Sequence, residues 1–241
     1  MKRMFYAVVL FLLLTAPLFA EQVDTAKVKS FEVMKNFLEK TQTTITEVRD
    51  LGSLYEVALE QGKKKGLVYL TKDGKYIVVG GSLVDKDFMN ITALRAEELN
   101  RVNFSEIPLN DALVIKKGSG AKKLVMITDV DCPFCRKAHE GLKTMTDYTL
   151  YVFFLPLPSH PNSHEKSVKV LCSKDPAAAL DLAKSDKEIS AEKCAAGEEK
   201  LKKHMDFVNS LGISSTPQFI IESGRRIEGA NMPALEEYLK K

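Results

Sequence analysis

Two cysteines three positions apart, in the tetrapeptide Cys132-Pro133-Phe134-Cys135, constrain the fold of this chain more than any other feature. The apolar run at positions 124–127 before them is typical of a buried strand, and proline favours the first position of a helix. The pattern therefore predicts a strand that leads into a helix, with Cys132 at the helix N-cap.

Two thiols at this spacing can exchange electrons with a disulfide of another protein. The thiolate is the nucleophile of thiol-disulfide exchange, and the unpaired N–H groups and positive dipole end of a helix N-terminus stabilise it. We therefore predict that Cys132 attacks, and that Cys135, at the third helical position, resolves the mixed disulfide. An inert staple is disfavoured because a disulfide that closes so short a loop restricts the unfolded chain little.

Metal binding is the competing interpretation of this segment. His139 lies four residues after Cys135, so Cys132, Cys135 and His139 could share a helical face, and such a set suits zinc or copper. A structural zinc site brings its second ligand pair at similarly short spacing, whereas Cys172 and Cys194 are far apart. We predict no metal and no cofactor, and a solvated or locally hydrogen-bonded side chain for His139.

The first 20 residues indicate export. Lys2 and Arg3 precede an apolar segment, and Ala20 is a small residue suited to cleavage, which is the layout of a secretory signal peptide. The apolar stretch is shorter than the roughly 20 residues of a membrane span. Leu18 is unusual at the minus-three position, which leaves an uncleaved anchor as an alternative. We expect residues 1–20 to be a signal peptide.

Export leads to an oxidising compartment, which suggests a role for the other two cysteines. There, Cys172 and Cys194 can stay joined as a structural disulfide while Cys132 and Cys135 cycle. Four cysteines allow three pairings, and the adjacency of the first two makes this division the simplest one. A bridge that closes about 20 residues would stabilise the fold by roughly 3 kcal/mol in the chain-entropy interpretation.

The length left after the signal, about 220 residues, favours two domains. Residues 21–88 open with a helical pattern of apolar side chains and continue with four short strands. The strands are predicted at Thr44 to Val48, Leu54 to Leu59, Leu67 to Thr71 and Tyr76 to Val79, with a two-residue hairpin signal at Asp73-Gly74. This predicts a helix packed on an antiparallel sheet. The core would be marginal, so pairing with a second copy would bury more apolar surface.

The rest of the chain is predicted to hold a linker and a second domain. Residues 89–108 contain a connecting helix at 90–102, and the second domain spans 109–241. It runs through the cysteine helix, a strand at 149–155, a helical excursion at 164–209, a hairpin and a final helix. Thr216-Pro217 precedes the hairpin; a proline there is confined to a cis bond or an edge, and beside a redox pair it can border the substrate groove. This order is typical of a thioredoxin-like domain with a helical insertion.

The charge balance excludes a nucleic-acid partner. The chain has 35 basic and 32 acidic residues, and removal of the signal takes away Lys2 and Arg3. No basic footprint remains. The run Lys63-Lys64-Lys65 is flanked by glycines, which predicts a solvated turn.

Four separated motifs resemble the DsbC/DsbG family of periplasmic protein disulfide isomerases, over essentially the whole mature length. They are the segment 67–77 (LVYLTKDGKYI), the segment 128–140 (TDVDCPFCRKAHE), the pair Cys172 and Cys194, and Ser215-Thr216-Pro217. A single pair of cysteines at this spacing is weak support, whereas the four motifs together are strong.

The resemblance implies an architecture and partners. It implies a cystatin-like α+β N-terminal dimerisation domain, a linker helix and an α/β thioredoxin-like catalytic domain. The homodimer would be V-shaped, with both Cys132 sites facing an apolar cleft for misfolded secreted proteins. Pro217 would be cis, with Thr216 beside the active pair, and Cys172-Cys194 would be the structural disulfide. The location would be the periplasm, where a DsbD-like membrane reductant keeps Cys132 and Cys135 reduced.

Two departures bear on the activity. Pro133-Phe134 is nearer the Pro-Tyr of DsbG than the Gly-Tyr of DsbC, and these residues bias the thiolate and the reduction potential. Met126 stands where cytosolic thioredoxins carry a buried acid, which argues against a general thioredoxin. We predict a disulfide isomerase, with Pro133 and Phe134 supporting the site. The alternatives are a reductase of sulfenylated or oxidised cysteines and a holding chaperone in which the redox pair is secondary.

Overall fold

Two β-sheets organise the described part of the chain. The computed structural model describes residues 24–240. The signal peptide predicted for residues 1–20 lies outside the described residues and stays a prediction. Within residues 24–240, no helix is both long enough and apolar enough to cross a membrane.

The first sheet has four antiparallel strands in the order β1-β2-β3-β4. Two helices precede it, and a third follows it. The elements are α1 (Thr25–Ser30), α2 (Glu32–Thr41), β1 (Thr44–Asp50), β2 (Leu54–Gln61), β3 (Lys64–Thr71), β4 (Ile77–Val79) and α3 (Ile91–Leu99). The predicted arrangement of a helix on an antiparallel sheet is present, with boundaries that differ by a few residues.

The opening helical pattern belongs to two helices that meet at Phe31. Phe31 has extended backbone angles (φ −65°, ψ 132°), so α1 ends and α2 begins there. Its ring covers Gly74, where a Cβ atom would overlap the ring and where φ is +69°. Val28 and Met34, on either side of the break, are both fully buried. Periodicity could not reveal the break because the apolar face continues across it.

Two of the three hairpins of this sheet, β2–β3 and β3–β4, differ from the predicted turns. Gln61 pairs with Lys64, so the β2–β3 loop is Gly62-Lys63 and only the first of the three lysines lies in a turn. The other two begin β3. Between β3 and β4 the loop is longer than two residues, since Thr71 N donates to Tyr76 O. Within this loop the carboxylate of Asp73 accepts from both Thr71 Oγ1 and Lys75 N.

Helix α3 covers the sheet face that α1 and α2 leave open. Arg95 of α3 is paired with Glu47 and with Glu56, whose side chain is only 6% exposed. Thr92 is hydrogen-bonded to the hydroxyl of Tyr69. The predicted linker helix is therefore docked rather than free, and beyond it Val102 N donates to Gly224 O at 2.9 Å.

The second sheet has five strands in the order β5-β7-β6-β8-β9. Its elements are β5 (Leu113–Lys117), β6 (Lys122–Thr128), α4 (Pro133–Lys143), β7 (Tyr148–Phe154), α5 (Ser163–Cys172), α6 (Pro176–Lys184), α7 (Ala195–Ser210), β8 (Gln218–Ile221), β9 (Arg226–Glu228) and α8 (Met232–Lys240). The pair β6–β7 is parallel, and the other neighbours are antiparallel. The predicted helical excursion is three helices with an irregular segment before α7.

The position of β6 decides where the site lies. It is a central strand, and residues 124–128 are fully buried because apolar clusters cover both faces of the sheet. Its carboxyl end leads directly into α4, as predicted. Strand β5 was not predicted from the sequence, in which its three apolar residues are followed by two lysines. This short strand is defined by its antiparallel pairing with β7.

Candidate active site

Cys132 occupies the N-cap of α4. Its backbone is extended (φ −65°, ψ 123°), and its carbonyl accepts the first helical hydrogen bond from Arg136 N. Pro133 is the first helical residue, and Cys135 lies two positions further, within the first turn. Both thiols are free. The Cys132 thiol therefore lies at the positive end of the helix dipole.

The loop before β8 covers Cys132. Its Sγ donates to Thr216 O at 3.6 Å, and the Thr216-Pro217 peptide bond is cis. Cys132 is consequently only 4% exposed, and Cys135 is fully buried. Phe134, between the two cysteines, is 65% exposed. A substrate at this surface would meet an apolar side chain beside the thiol.

Polar groups surround the sulfur of Cys135. Asp129 N donates to it at 3.5 Å. Thr216 Oγ1 is buried and has no hydrogen-bond partner among the described residues. Burial raises the pKa of the Cys135 thiol; the charge of Lys184, the Asp129 N–H, and the hydroxyls of Thr216 and Thr128 oppose this rise. Cys135 is thus held as a thiol, with donors ready for a thiolate.

Lys184 is a residue of the site that sequence analysis missed. It is 3% exposed, and its Nζ donates to Thr128 Oγ1 at 2.7 Å and to Asp129 O at 2.6 Å. Burial lowers the pKa of Lys184 to about 8, against the opposing effect of Cys135, Asp129 and Cys132. A signal existed in the sequence, because Lys184 follows Leu180 by four residues on the apolar face of α6.

Asp129 fixes the loop between β6 and α4. It is fully buried, and its carboxylate accepts hydrogen bonds from two backbone N–H groups and two side chains. The donors are Asp131 N, Leu157 N, His160 Nδ1 and Ser163 Oγ. Burial would raise the pKa of Asp129, but these hydrogen bonds hold it below its ordinary value. The network ties the segment before Cys132 to the segment that enters α5.

A group of ion pairs borders the site on the solvent side. Asp131, next to Cys132, accepts from Arg136 at 3.0 Å and from Lys166 at 2.6 Å. Both cations also contact Asp186 at 3.3 Å. These pairs connect α4, α5 and the end of α6 around the active-site turn.

His139 is neither solvated nor locally bonded, so that prediction was wrong. It is 4% exposed, and its Nε2 lies 2.5 Å from Asp181 Oδ1 of α6. The amphipathic α4 turns this position toward the neighbouring helix, where burial lowers the pKa of His139 and Asp181 opposes the change. Residues 24–240 contain no group of three or more His, Cys, Asp or Glu side chains arranged to hold a metal ion.

The other two cysteines are joined to each other. A disulfide connects Cys172, at the end of α5, with Cys194, the N-cap of α7; their Cα atoms are 5.9 Å apart. Cys194 Sγ also accepts from Gly197 N at 3.3 Å. A Cβ atom at Gly197 would overlap Cys172 Sγ. Glycine at this position therefore leaves room for the sulfur that arrives from α5.

Comparisons with known proteins agree with this geometry. The family described as "Thioredoxin-like domain" matches residues 109–241. A probable thiol:disulfide interchange protein DsbC of Bordetella avium is 31% identical over 169 residues, which are 70% of this chain and 60% of that protein. DsbC of Escherichia coli K12 is 25% identical over 178 residues, 72% of this chain and 73% of that protein.

One solved structure is similar at the level of the fold. A disulfide interchange protein from Neisseria gonorrhoeae aligns with a TM-score of 0.51 and 28% identity, over 56% of this chain and 96% of that chain. The chain spans about 54 to 60% of the length of the first curated relatives it matches. The thioredoxin-like domain of residues 109–241 carries Cys132 and Cys135.

Proposed function

Because the chain belongs to the thioredoxin-like domain family, and within it to the DsbC/DsbG family of thiol:disulfide interchange proteins, we propose that it is a periplasmic protein disulfide isomerase. Its substrates are secreted proteins with non-native disulfides. One observation carries the proposal. Cys132 caps a helix whose first turn holds the free thiol of Cys135, and the Thr216-Pro217 loop contacts the sulfur of Cys132.

The first step is an attack by Cys132. Its thiolate forms a bond with one sulfur of the substrate disulfide, and the second substrate sulfur leaves as a thiolate with the electron pair. Cys132 Sγ makes this attack from the N-terminus of α4, where the helix dipole is positive. Phe134 and the Thr216-Pro217 loop border the thiol, so they support the site by contact with the substrate chain.

The mixed disulfide then has two outcomes. Another substrate thiolate can attack it, which releases Cys132 unchanged and leaves a rearranged substrate disulfide. Alternatively, Cys135 attacks Cys132 Sγ, and the substrate leaves as a thiolate. The second outcome reduces the substrate by two electrons and leaves a Cys132-Cys135 disulfide, so it requires a thiol reductant to restore the pair. We assign that task to a DsbD-like membrane partner.

The first sheet supports a dimer. We propose that residues 21–88 form the dimerisation domain, 89–108 the linker and 109–241 the catalytic domain. Strand β4 is an edge strand, and large apolar side chains are exposed immediately before it, on it and after it. They are Tyr76, Val78, Val79, Val84, Phe88 and Met89, with Phe88 91% exposed. An exposed edge with apolar side chains favours pairing with another chain.

The cellular location follows from the same proposal. Residues 1–20 would direct export and be removed, and an oxidising periplasm would keep Cys172 and Cys194 joined. The Cys132-Cys135 pair would be held reduced there. The resting redox state of both pairs in cells, measured by alkylation before and after reduction, tests this. If Cys132 and Cys135 were joined at rest, an oxidase would replace the isomerase, because a donor of disulfides is stored oxidised.

The activity itself is tested with two substrates. We expect the purified reduced protein to restore activity to a scrambled multi-disulfide protein faster than it reduces a sulfenylated single cysteine. The opposite order would favour the reductase of the DsbG type. Cys132→Ala should abolish both activities; if it left the refolding yield unchanged, the apolar surface would act as a holding chaperone. Cys135→Ala is the matched control, since it keeps the attacking thiol and accumulates mixed disulfides.

A further inference from the structure

Cys135 lies in a cluster of groups suited to a negative charge. We name this cluster the thiolate cradle: the N–H of Asp129, the hydroxyls of Thr128 and Thr216, and the ammonium of Lys184. The Asp129 N–H contacts the sulfur directly, and the Thr216 hydroxyl is buried without another partner. A buried donor without an acceptor requires an explanation. A thiolate at Cys135 would be its acceptor.

Lys184 is the charged member of the cradle. Its two hydrogen bonds go to Thr128 Oγ1 and Asp129 O, the same two residues that line the Cys135 sulfur. Neither bond goes to a carboxylate, so the ammonium is buried without a directly bonded anion. Burial of a cation in that way is costly. The cost falls when an active-site sulfur carries a negative charge, because Lys184 interacts electrostatically with both Cys135 and Cys132.

We propose that Lys184 is a positioning residue that stabilises the reduced, ionised form of the Cys132-Cys135 pair and promotes the attack of Cys135 on the mixed disulfide. This role rests on the proposed function only in one respect, namely that the mixed disulfide resolved by Cys135 is one with a secreted substrate protein. The effect on the redox equilibrium of the two cysteines is independent of which substrate is attacked.

The attack of Cys135 on the mixed disulfide releases the substrate as a thiol. Cys135 loses its proton, and its thiolate, held by the cradle, attacks Cys132 Sγ. The bond between Cys132 and the substrate sulfur breaks, and the electron pair leaves with that sulfur. The proton given up by Cys135 ends on the departing substrate thiolate. The product disulfide carries no charge, so Lys184 is left again without an anion at the two sulfurs, which disfavours the oxidised pair.

Other charged groups face Lys184 from the elements packed around it. Asp129 lies on the loop after β6, and its carboxylate also attracts the ammonium. Arg136 and His139 lie on α4; Arg136 lowers the pKa of Lys184, and Lys184 lowers that of His139. Asp129 and Arg136 are charged in both redox states at neutral pH. The change between the two states therefore comes from the cysteines.

The test is the redox equilibrium of the full-length protein with glutathione. Lys184→Met removes the charge and both hydrogen bonds, whereas Lys184→Gln removes the charge and keeps an N–H donor. We expect both variants to shift the equilibrium about tenfold toward the Cys132-Cys135 disulfide, which corresponds to a reduction potential lower by about 30 mV. Lys202→Met makes the same change of net charge on the exposed side of α7 and should shift it less than twofold.

A purely structural lysine would give a different result. If both variants lowered the unfolding temperature of the oxidised and reduced forms equally and moved the equilibrium less than twofold, the proposal would be overturned. If the unmodified protein had no isomerase activity, but the Lys184 variants still shifted the redox equilibrium of the cysteines, only the proposed function would be overturned.

A measurement on the unmodified protein covers the case in which the variants do not fold. The pKa of Lys184 can be followed by the NMR signal of its side-chain nitrogen in both redox states. We expect a lower pKa in the disulfide form, because neither sulfur can then carry a negative charge. Equal pKa values in the two forms would contradict the inference.

Discussion

Two helices of residues 109–241 have a cysteine at the N-cap, and the two cysteines have different fates. Cys132 caps α4 with a free thiol that makes no capping hydrogen bond. Cys194 caps α7 with a sulfur that accepts from Gly197 N and is bonded to Cys172. Both N-cap positions lie at the positive end of a helix dipole. The position alone therefore does not determine which cysteine is redox-active.

The third helical position distinguishes the two helices. In α4 it is Cys135, so the partner sulfur belongs to the same turn. In α7 it is Gly197, whose missing side chain admits Cys172 from another helix. The first arrangement closes a loop too short to stabilise the fold, whereas the second links residues 22 positions apart. The same cap thus serves chemistry in one helix and stability in the other.

The proposed redox pair is less exposed to solvent than the structural disulfide. Cys132 and Cys135 are buried, whereas Cys172 is half-buried and Cys194 is exposed. The Cys132-Cys135 pair differs in its surroundings: a carbonyl, two hydroxyls, a backbone N–H and a buried lysine lie around the sulfurs. Polar surroundings that can accommodate an anion, rather than solvent access in the resting state, distinguish the proposed redox pair.

Removal of each pair in turn gives the largest contrast. Cys132→Ser should lower disulfide-exchange activity more than a thousandfold and leave the free energy of unfolding nearly unchanged, because it deletes the nucleophile alone. Cys172→Ser with Cys194→Ser should lower the free energy of unfolding by about 3 kcal/mol and leave activity per folded molecule intact. Denaturant unfolding and an insulin-reduction assay measure the two effects. Loss of activity in the folded double variant would show that the disulfide also shapes the site.

Acid should affect the two helices unequally. Each carries a buried histidine, and in α7 burial lowers the pKa of His204 to about 4. His204 Nδ1 accepts from Phe154 N, and Nε2 donates to Asp111 O, so the fold requires the neutral ring. The unfolded chain binds the proton below pH 6.5, and stability is therefore lost as the pH falls from 6.5 to 4, by up to about 3 kcal/mol.

Variants assign this acid loss to one helix. His204→Gln removes the titration, so the free energy of unfolding should change less between pH 6.5 and 4, from a lower value at pH 7. The exposed His164 provides the control, and His164→Gln should keep the full loss. If the free energy of unfolding of the His204 variant still fell as steeply with pH, the acid sensitivity would lie elsewhere, and the buried His139 of α4 would be the next candidate.

The glycines of the two helices give the smallest effect. Gly197→Ala should lower the free energy of unfolding by about 1 to 3 kcal/mol, because the new methyl group would overlap a sulfur fixed by its disulfide. Gly141→Ala in α4 meets only the flexible end of Met232 and should be neutral or stabilising by up to about 1 kcal/mol. Thermal unfolding of both variants checks this. Equal effects would mean that the cysteine sulfur can move aside.

The elements that sequence analysis anticipated are those set by local patterns. The strand-to-helix junction at Cys132 follows from an apolar run and a proline, and the antiparallel hairpins follow from alternating side chains and turns. The break at Phe31 and strand β5 were not anticipated. Both depend on partners distant in sequence: the ring of Phe31 covers Gly74, and β5 pairs with β7. The apolar pattern is compatible with a continuous helix or a broken one, and with a strand or a loop at the position of β5.

The sequence by itself determined which residues could do the chemistry, because a thiol, a proline and a helix start are local properties. Only the tertiary structure decided their environment. It brought Lys184 from α6 and Thr216 from the loop before β8 to a sulfur in α4. It also buried His139 against Asp181. Burial and electrostatic interaction depend on distances in space, and residues 50 or 80 positions apart have no local signal that they will meet.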